Sequence, residues 1–236
     1  LAAAQRARYD IDVLRSRLTR PPSRAYARRM TSPLSHPTPM TLEEYFAFDE
    51  TVEARHEYVD SFFYAMTGGA SRHGVIASNV TGYLWNVLRR GACRLFTGNR
   101  KLRVLRNVFV PDVMVACGDV SAETDTEVAA TYVVEVTSPS TERIDRGEKR
   151  RAYLGLDSLR GYLIVSQDAR RVDAYLREHD ASWVHQVFED EQEIFLASID
   201  VTLPLSVIYE RVELPSSGPR LRLREEGTEW ELDADT

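Results

Sequence analysis

Two carboxylates stand alone in apolar runs of this sequence, and together they could hold a metal ion. Asp112 follows Pro111 in the run VFVPDVMV, and Glu135 is the single charge in TYVVEV. An isolated ionised carboxylate in an apolar interior is costly unless it is paired, protonated or bound to a metal. Two strands of one sheet could bring both groups together, and paired carboxylates repel each other unless a cation or a proton lies between them. We therefore expect a shared Mg²⁺; the alternative for each is an arginine partner or solvent.

A helix after the second of these strands carries the candidate cation. At 100° per residue, Asp145, Lys149 and Tyr153 fall on one arc of the segment from about 142 to 156. A helix that follows a strand buries its apolar arc against the sheet. Asp145 and Lys149 are therefore predicted to point toward the sheet, and the surplus arginines such as Arg150 to point outward. An ordinary salt bridge between residues four apart is the alternative reading of the pair.

Other polar residues in the sequence are weaker candidates. His73, in GGASRHG, stands at a predicted helix start, where it either faces the cleft or serves as a capping or surface residue. The segment TGGAS lacks the Lys-Ser/Thr ending of a phosphate loop and is predicted to be a turn. Ser138, Ser140 and Thr141 are expected to cap the following helix rather than to act as nucleophiles.

The elements that must position these residues can be predicted from patterning. Thr41 and Glu44 form a capping-box pattern at the start of a helix. A hairpin is predicted at 57–66 and an amphipathic helix at 73–91. Strands are predicted at CRLFT, KLRVLR, VFVPDVMVA, TYVVEV, GYLIVS, RRVDAYLRE, SWVHQVFE and EIFLASI, and a closing helix at LPLSVIYERV. This order predicts an α/β domain, a central mixed β-sheet flanked by helices.

Charge divides the 236-residue chain into three parts. The predicted domain, 40–214, carries a net charge of −9; the arginine-rich segment 1–39 carries +6, and the tail 215–236 carries −3. We expect 1–39 to be a flexible extension and 215–236 to be a disordered acidic tail. An acidic domain argues against a non-specific nucleic-acid coat, because phosphate affinity comes from basic surface. It leaves room for an enzyme that meets DNA through a local patch and a metal.

The cysteines and the hydropathy indicate the compartment. Cys93 and Cys117 form no C-x-x-C or Cys/His cluster, so we expect buried free thiols, which suit a reducing cytoplasm. No apolar stretch approaches the roughly 18 residues of a membrane span, and there is no signal-peptide core. A soluble, cytoplasmic protein that does not bind membranes is expected.

The segments FVPDVMV, VVEVTSPSTERIDRGEKRRAYLGL and GYLIVSQDARRVDAY together resemble the Uma family of restriction endonucleases, a branch of the PD-(D/E)XK nuclease superfamily. The resemblance runs from about Met40 to Glu213. It implies a restriction-endonuclease-like fold and hydrolysis of DNA phosphodiester bonds that depends on Mg²⁺ or Mn²⁺. By position, Asp112 is the Asp of P-D, Glu135 is the Glu of E-x-K, and Glu57 is a possible further carboxylate.

One position departs from the superfamily motif. Thr137 stands where E-x-K has its lysine. The natural substitute is a lysine on the next helix, which points to Lys149 and agrees with the helical arc; Lys101 is a weaker candidate. In this interpretation Lys149 stabilises charge on the phosphorane and orients the attacking water, and Asp145 holds the lysine.

Three functions compete at this point. The leading one is a metal-dependent DNA endonuclease, which as a cutter of both strands is expected to be a homodimer. The second is a catalytically weak or inactive nuclease-fold protein that binds nucleic acid or protein, and Thr137 with the acidic domain favours it. The third is the same fold cleaving RNA or a structured junction.

Overall fold

The computed structural model describes residues 39–52, 55–66, 71–118, 126–138 and 141–215. The predicted extension before residue 40 and the predicted tail after residue 214 therefore lie outside the described residues, apart from Pro39 and Pro215. Ser140, one of the predicted capping residues, lies outside them too.

The described chain forms a mixed α/β structure, as the patterning predicts. In chain order its elements are α1 (Leu42–Asp49), β1 (His56–Val59), β2 (Phe62–Ala65), α2 (Ser71–Leu88), β3 (Cys93–Thr97), β4 (Lys101–Val104), β5 (Asn107–Phe109), β6 (Val113–Cys117), β7 (Thr126–Glu127), β8 (Tyr132–Thr137), α3 (Glu142–Ile144), a π-helical turn (Asp145–Lys149), α4 (Arg150–Leu154), β9 (Gly161–Ser166), β10 (Arg171–Arg177), β11 (Trp183–Glu189), β12 (Glu193–Leu196), a 3₁₀ turn (Ala197–Ile199), β13 (Val201–Pro204) and α5 (Leu205–Ile208). The predicted capping box at Thr41 and Glu44 opens α1. Among these helices none is long and apolar enough to cross a membrane.

A six-stranded mixed sheet forms the centre, in the order β11-β10-β9-β8-β6-β3. Within it β8 and β9 run parallel and the other neighbours are antiparallel. A five-stranded sheet has the order β2-β1-β5-β4-β7, and β12 pairs with β13. The predicted strand VFVPDVMVA is in fact β5 and β6, which belong to different sheets. Pro111, which has no N–H to donate to a ladder, lies at the break.

Side-chain alternation along β8 assigns its residues to two cores. Val134 and Val136 pack with α2 on one face of the six-stranded sheet. Val133 packs on the other face, with a cluster that includes Tyr153 of α4. Since successive side chains of a strand point to opposite faces, Glu135 shares the face of Val133. The strand thus points its one carboxylate toward the helical segment that follows it.

The prediction of free thiols is wrong, because Cys93 and Cys117 form a disulfide. The antiparallel register of β3 and β6 places the two cysteines directly opposite each other, which a 24-residue separation does not reveal. The bond fastens an edge strand to the strand that follows Asp112. The argument from free thiols to a reducing cytoplasm therefore loses its support, and the cytoplasmic location stays a prediction.

Candidate functional site

Glu135 receives two hydrogen bonds from the helix that follows its strand. Lys149 Nζ and Tyr153 Oη each donate to Glu135 Oε1 over 3.0 Å. The glutamate is 3% exposed. The sequence suggested a metal shared with Asp112 as its partner, whereas the chain itself supplies a cation in direct contact. These two donors offset part of the cost of burying the carboxyl group.

Lys149 is the shared counterion of three carboxylates. Its Nζ lies 2.9 Å from Glu57 Oε1, 3.0 Å from Glu135 Oε1 and 3.4 Å from Asp145 Oδ1, and the residue is 4% exposed. Burial opposes the charged ammonium, but the three carboxylates outweigh it and hold the pKa of Lys149 well above its ordinary value. Lys149 is therefore a fixed positive charge and not a group that exchanges protons near neutral pH.

A π-helical turn between α3 and α4 brings Lys149 and Asp145 inward. The predicted arc is confirmed: Asp145, Lys149 and Tyr153 are all buried. Tyr162 Oη donates to the backbone oxygen of Asp145 over 3.0 Å, which ties the turn to β9. Single π turns inside α-helices occur frequently at functional sites.

The outward arginines of this helix differ in their surroundings. Arg150 does not point freely into solvent, because its Nη1 donates to Tyr175 Oη over 3.1 Å and its guanidinium lies over that ring. The side chain of Arg151 is 73% exposed. Arg151 is consequently the better reference residue for an arginine of this helix that does not contact the carboxylate cluster.

Asp112 faces Glu135 across two neighbouring strands. The antiparallel register pairs Val113 with Val134. Continued by one residue, this register places Asp112, which precedes Val113, opposite Glu135, which follows Val134. Asp112 Oδ2 accepts a hydrogen bond from Val136 N over 2.8 Å and lies 3.1 Å from His73 Nε2.

His73 therefore meets the cluster, as the cleft-facing alternative predicts. Its hydrogen bond to Asp112 raises the pKa of the imidazole, against the opposing effect of burial. The side chains of His73 and Asp112 are 20% and 16% exposed, more than those of the other cluster residues. They mark the side from which solvent or a ligand reaches the cluster.

Glu57 links the five-stranded sheet to the site. Its Oε1 accepts the backbone N–H of Val110 over 3.0 Å and also contacts Lys149. Val110 directly precedes Pro111 and Asp112 in the chain. The same carboxylate oxygen thus holds both the segment that carries Asp112 and the lysine that contacts Glu135.

The cluster contains more carboxyl groups than cationic groups. Burial raises the pKa of Glu135 well above its ordinary value, and the carboxylates of Asp112, Asp145 and Glu57 add to that rise, whereas Lys149 opposes it. Burial likewise raises the pKa of Asp145. Four carboxylates with one lysine and one histidine form a site that a further cation would stabilise.

The oxygens left over by the protein hydrogen bonds fit a hard divalent cation. Both contacts of Glu135 go to Oε1 and both contacts of Asp112 go to Oδ2. Mg²⁺ is commonly bound by one or two carboxylates, together with water and phosphate oxygens. The described residues contain no group of three or more Asp, Glu, His or Cys side chains arranged as a metal site. Asp112 and Glu135 would therefore supply two ligands and leave the other positions to water or substrate.

Thr137 and Lys101, the two other positions considered for the lysine of the family motif, do not contact Glu135 through the bonds described here. Thr137 Oγ1 donates to the backbone oxygen of Val165 over 3.4 Å. Lys101 Nζ lies 2.7 Å from Asp49 Oδ2. Lys149 and not Lys101 is the lysine that contacts Glu135. Ser138 and Thr141 bond to each other in a turn before α3. Thr141 is the N-cap residue of α3, but its side chain makes no capping hydrogen bond, so the prediction that it caps the helix is wrong.

Sequence reasoning placed Tyr153 on the right arc but gave it no role in the site. Its hydroxyl bonds to Glu135, and burial raises the pKa of the phenol well above its ordinary value, so it stays a donor. Its position four residues after Lys149 was the available signal. The amide of Val136, which bonds to Asp112, has no sequence signal, because any residue carries a backbone N–H.

Known proteins resemble this chain in sequence and in fold. Residues 42–206 match the model of the Uma2 family, described as "Putative restriction endonuclease". The chain is 36% identical over 172 residues to the uncharacterized protein slr1290 of Synechocystis sp. (strain ATCC 27184 / PCC 6803 / Kazusa), which covers 71% of this chain and 90% of that protein. It is 23% identical over 150 residues to sll1609 of the same organism, covering 61% and 85%. The fold is similar to the crystal structure of "a putative nuclease belonging to DUF820" from Anabaena variabilis ATCC 29413, with a TM-score of 0.60, 15% identity, and coverage of 72% of this chain and 98% of that one.

Proposed function

The chain belongs to the Uma2 family of restriction-endonuclease-like proteins, and from this premise we propose that it is a DNA endonuclease that depends on a divalent metal ion. The observation that carries the proposal is that Asp112, directly before β6, accepts the backbone N–H of the residue after Glu135 in β8, while Lys149 is bonded to Glu135. Opposed carboxylates with a neighbouring fixed cation suit phosphodiester hydrolysis.

Asp112 and Glu135 are the residues that would hold the cation, through the carboxylate oxygens that receive no hydrogen bond within the described chain. When bound there, Mg²⁺ or Mn²⁺ polarises a phosphoryl oxygen and lowers the pKa of a coordinated water. The mutual repulsion of the four carboxyl groups favours this occupancy and disfavours an unaccompanied phosphate.

The other side chains of the cluster position these two ligands. Lys149 and Tyr153 direct Oε1 of Glu135 toward the helix, which leaves its second oxygen for the cation. Lys149 also brings fixed positive charge to the place where phosphate charge would develop. His73 holds Asp112 at the open side of the cluster, and Asp145 holds Lys149.

Incubation of the purified protein with supercoiled DNA, linear DNA, single-stranded DNA and RNA tests this function. We expect nicking or linearisation of the DNA in Mg²⁺ or Mn²⁺ and full loss of cleavage in excess EDTA, because two carboxylates without a cation cannot stabilise the charge of the transition state. Restored cleavage after Mn²⁺ is added back is the control. DNA binding without cleavage in either metal would favour the non-catalytic binding function, and preferential RNA cleavage would contradict the substrate class.

The expected assembly is a homodimer. Cutting both strands of a duplex requires two active sites or one site that moves between strands, and two-fold dimers are the commonest symmetric solution. Sedimentation at micromolar concentration should therefore give twice the 26.9 kDa chain mass. A single species at the monomer mass would contradict this prediction, without bearing on cleavage of one strand.

A further inference from the structure

One long stretch of this acidic domain contains no acidic residue. Residues 61–111 have no Asp or Glu, although 40–214 carries a net charge of −9. This stretch supplies β2 to β5, together with the Gly98 turn that leads from β3 to β4. Its arginine and lysine residues are Arg72, Arg89, Arg90, Arg94, Arg100, Lys101, Arg103 and Arg106.

The Gly98 turn lies against the backbone of the proposed metal-binding segment. Gly98 N donates to the backbone oxygens of Pro111 and Asp112 over 3.1 Å each. Gly98 has a φ of +49°, and a Cβ at this position would lie 2.9 Å from Arg55 Nη1. The backbone conformation favours glycine here, and any side chain at this position would displace the guanidinium of Arg55.

Arg55 is the cation that takes the space beside this turn. Its Nη1 donates to the backbone oxygen of Gly98, so one chain of hydrogen bonds joins Arg55 to Asp112 through the turn. Arg55 also precedes Glu57 of the cluster by two residues. The arginine is thus attached to the rim of the site by its backbone and by its side chain.

The charge of Arg55 has no acidic counterpart within the described chain. It is exposed, and no described Asp or Glu forms a salt bridge with it. By contrast, Arg72, the residue before His73, lies 2.8 Å from Asp168 Oδ1. A guanidinium bonded to a neutral carbonyl keeps its other N–H donors and its full charge for an anion.

We propose that Arg55, held by the Gly98 turn, binds a backbone phosphate of the nucleic acid beside the scissile bond. This inference rests on the proposed function and adds a substrate-positioning residue to it. The anionic substrate must reach a cluster of carboxylates that repels it, and an exposed guanidinium on the rim offsets that repulsion. Arginine suits this task because its planar fork matches phosphate geometry.

Duplex DNA binding to a Glu135→Gln background, measured by fluorescence anisotropy across a salt series, tests the inference without cleavage. Addition of Arg55→Ala should weaken binding several-fold at low salt and lower the slope of log K against log salt by about 1, as expected for one lost phosphate contact. Arg55→Lys should keep the slope, because it keeps the charge. Absence of any DNA binding by the background protein would overturn the inference.

Arg160→Ala is the matched control. Arg160 is also exposed and bonds a backbone carbonyl, that of Asp157 over 2.8 Å, but it precedes β9 and so lies at the opposite end of the sheet from Glu135. The Arg160→Ala variant should bind DNA with the same affinity and the same salt slope as the Glu135→Gln protein. If Arg55 only holds the turn, Arg55→Ala would lower thermal stability in this background, or Mn²⁺ binding in the protein that keeps Glu135, with the salt slope unchanged, which would overturn the inference. A wild-type protein that cleaves none of the substrates would contradict the proposed function. The salt dependence of DNA binding would still test the role of Arg55, because it does not require cleavage.

Discussion

Replacement of Glu135 by glutamine is expected to abolish hydrolysis and to leave the protein folded. The amide cannot supply an anionic ligand, so Mn²⁺ affinity should fall and cleavage should drop to the level of the EDTA control. The fold should tolerate the change because Lys149 keeps Glu57 and Asp145 as partners. Removal of one of several mutually repelling carboxylates should leave stability unchanged or raise it. Asp112→Asn should behave in the same way.

Cleavage rate, Mn²⁺ binding and thermal unfolding of the same preparations measure this prediction. Glu127→Gln is the matched control: Glu127 is also a buried strand glutamate, but it pairs with Arg100, whose Nε lies 2.9 Å from Oε1, in the five-stranded sheet. That variant should lose stability and keep its activity once folded. Unchanged cleavage by Glu135→Gln would refute the assignment of Glu135 as a metal ligand.

Replacement of Lys149 by methionine is expected to damage both stability and turnover. The change leaves three buried carboxylates without their cation, and breaking a buried ion pair in this way costs about 3–5 kcal/mol of unfolding free energy. In the fraction that stays folded, loss of a preorganised charge should lower turnover by roughly 10²–10³. Mn²⁺ should recover part of the lost stability, since a bound cation restores positive charge to the cluster.

The stability deficit of Lys149→Met should depend on pH in a defined direction. Glu135 and Asp145 already have a raised pKa in the folded protein, and loss of the ammonium removes the charge that opposed this rise. A carboxyl whose folded pKa exceeds its unfolded pKa favours folding at low pH and loses that contribution as pH rises through the folded pKa. The deficit should therefore be smaller near about pH 5 than near about pH 8.

Chemical denaturation of Lys149→Met and of Arg151→Met at both pH values distinguishes the loss of this buried counterion from the loss of any positive charge on the helix. Arg151 lies on the same helix with its side chain 73% exposed, and its replacement should change stability by less than about 0.5 kcal/mol. A Lys149→Met protein with the stability and turnover of the wild type would show that Lys149 is neither the counterion nor a contributor to the reaction.

Local periodicity in the sequence determined which residues are buried and which helix carries the cation. The arc of Asp145, Lys149 and Tyr153 depends on spacings of four residues, and the buried carboxylate of Glu135 on its apolar neighbours. These patterns involve only residues close together in sequence, so burial can be predicted from them without knowledge of the rest of the chain. The likeness of the segments around Asp112 and Glu135 to one family likewise needed no coordinates.

Only the tertiary structure decided which groups meet. Strand register sets Asp112 opposite Glu135 and Cys93 opposite Cys117, and a change of one residue in register would turn these side chains to the wrong face. The contact between Glu57 and Lys149 joins residues 92 positions apart in sequence, on different elements. Pairing over such distances depends on packing and on hydrogen bonds of the backbone, which every residue carries alike. The sequence therefore predicted the chemical groups, while the fold determined that Lys149 contacts Glu135 directly.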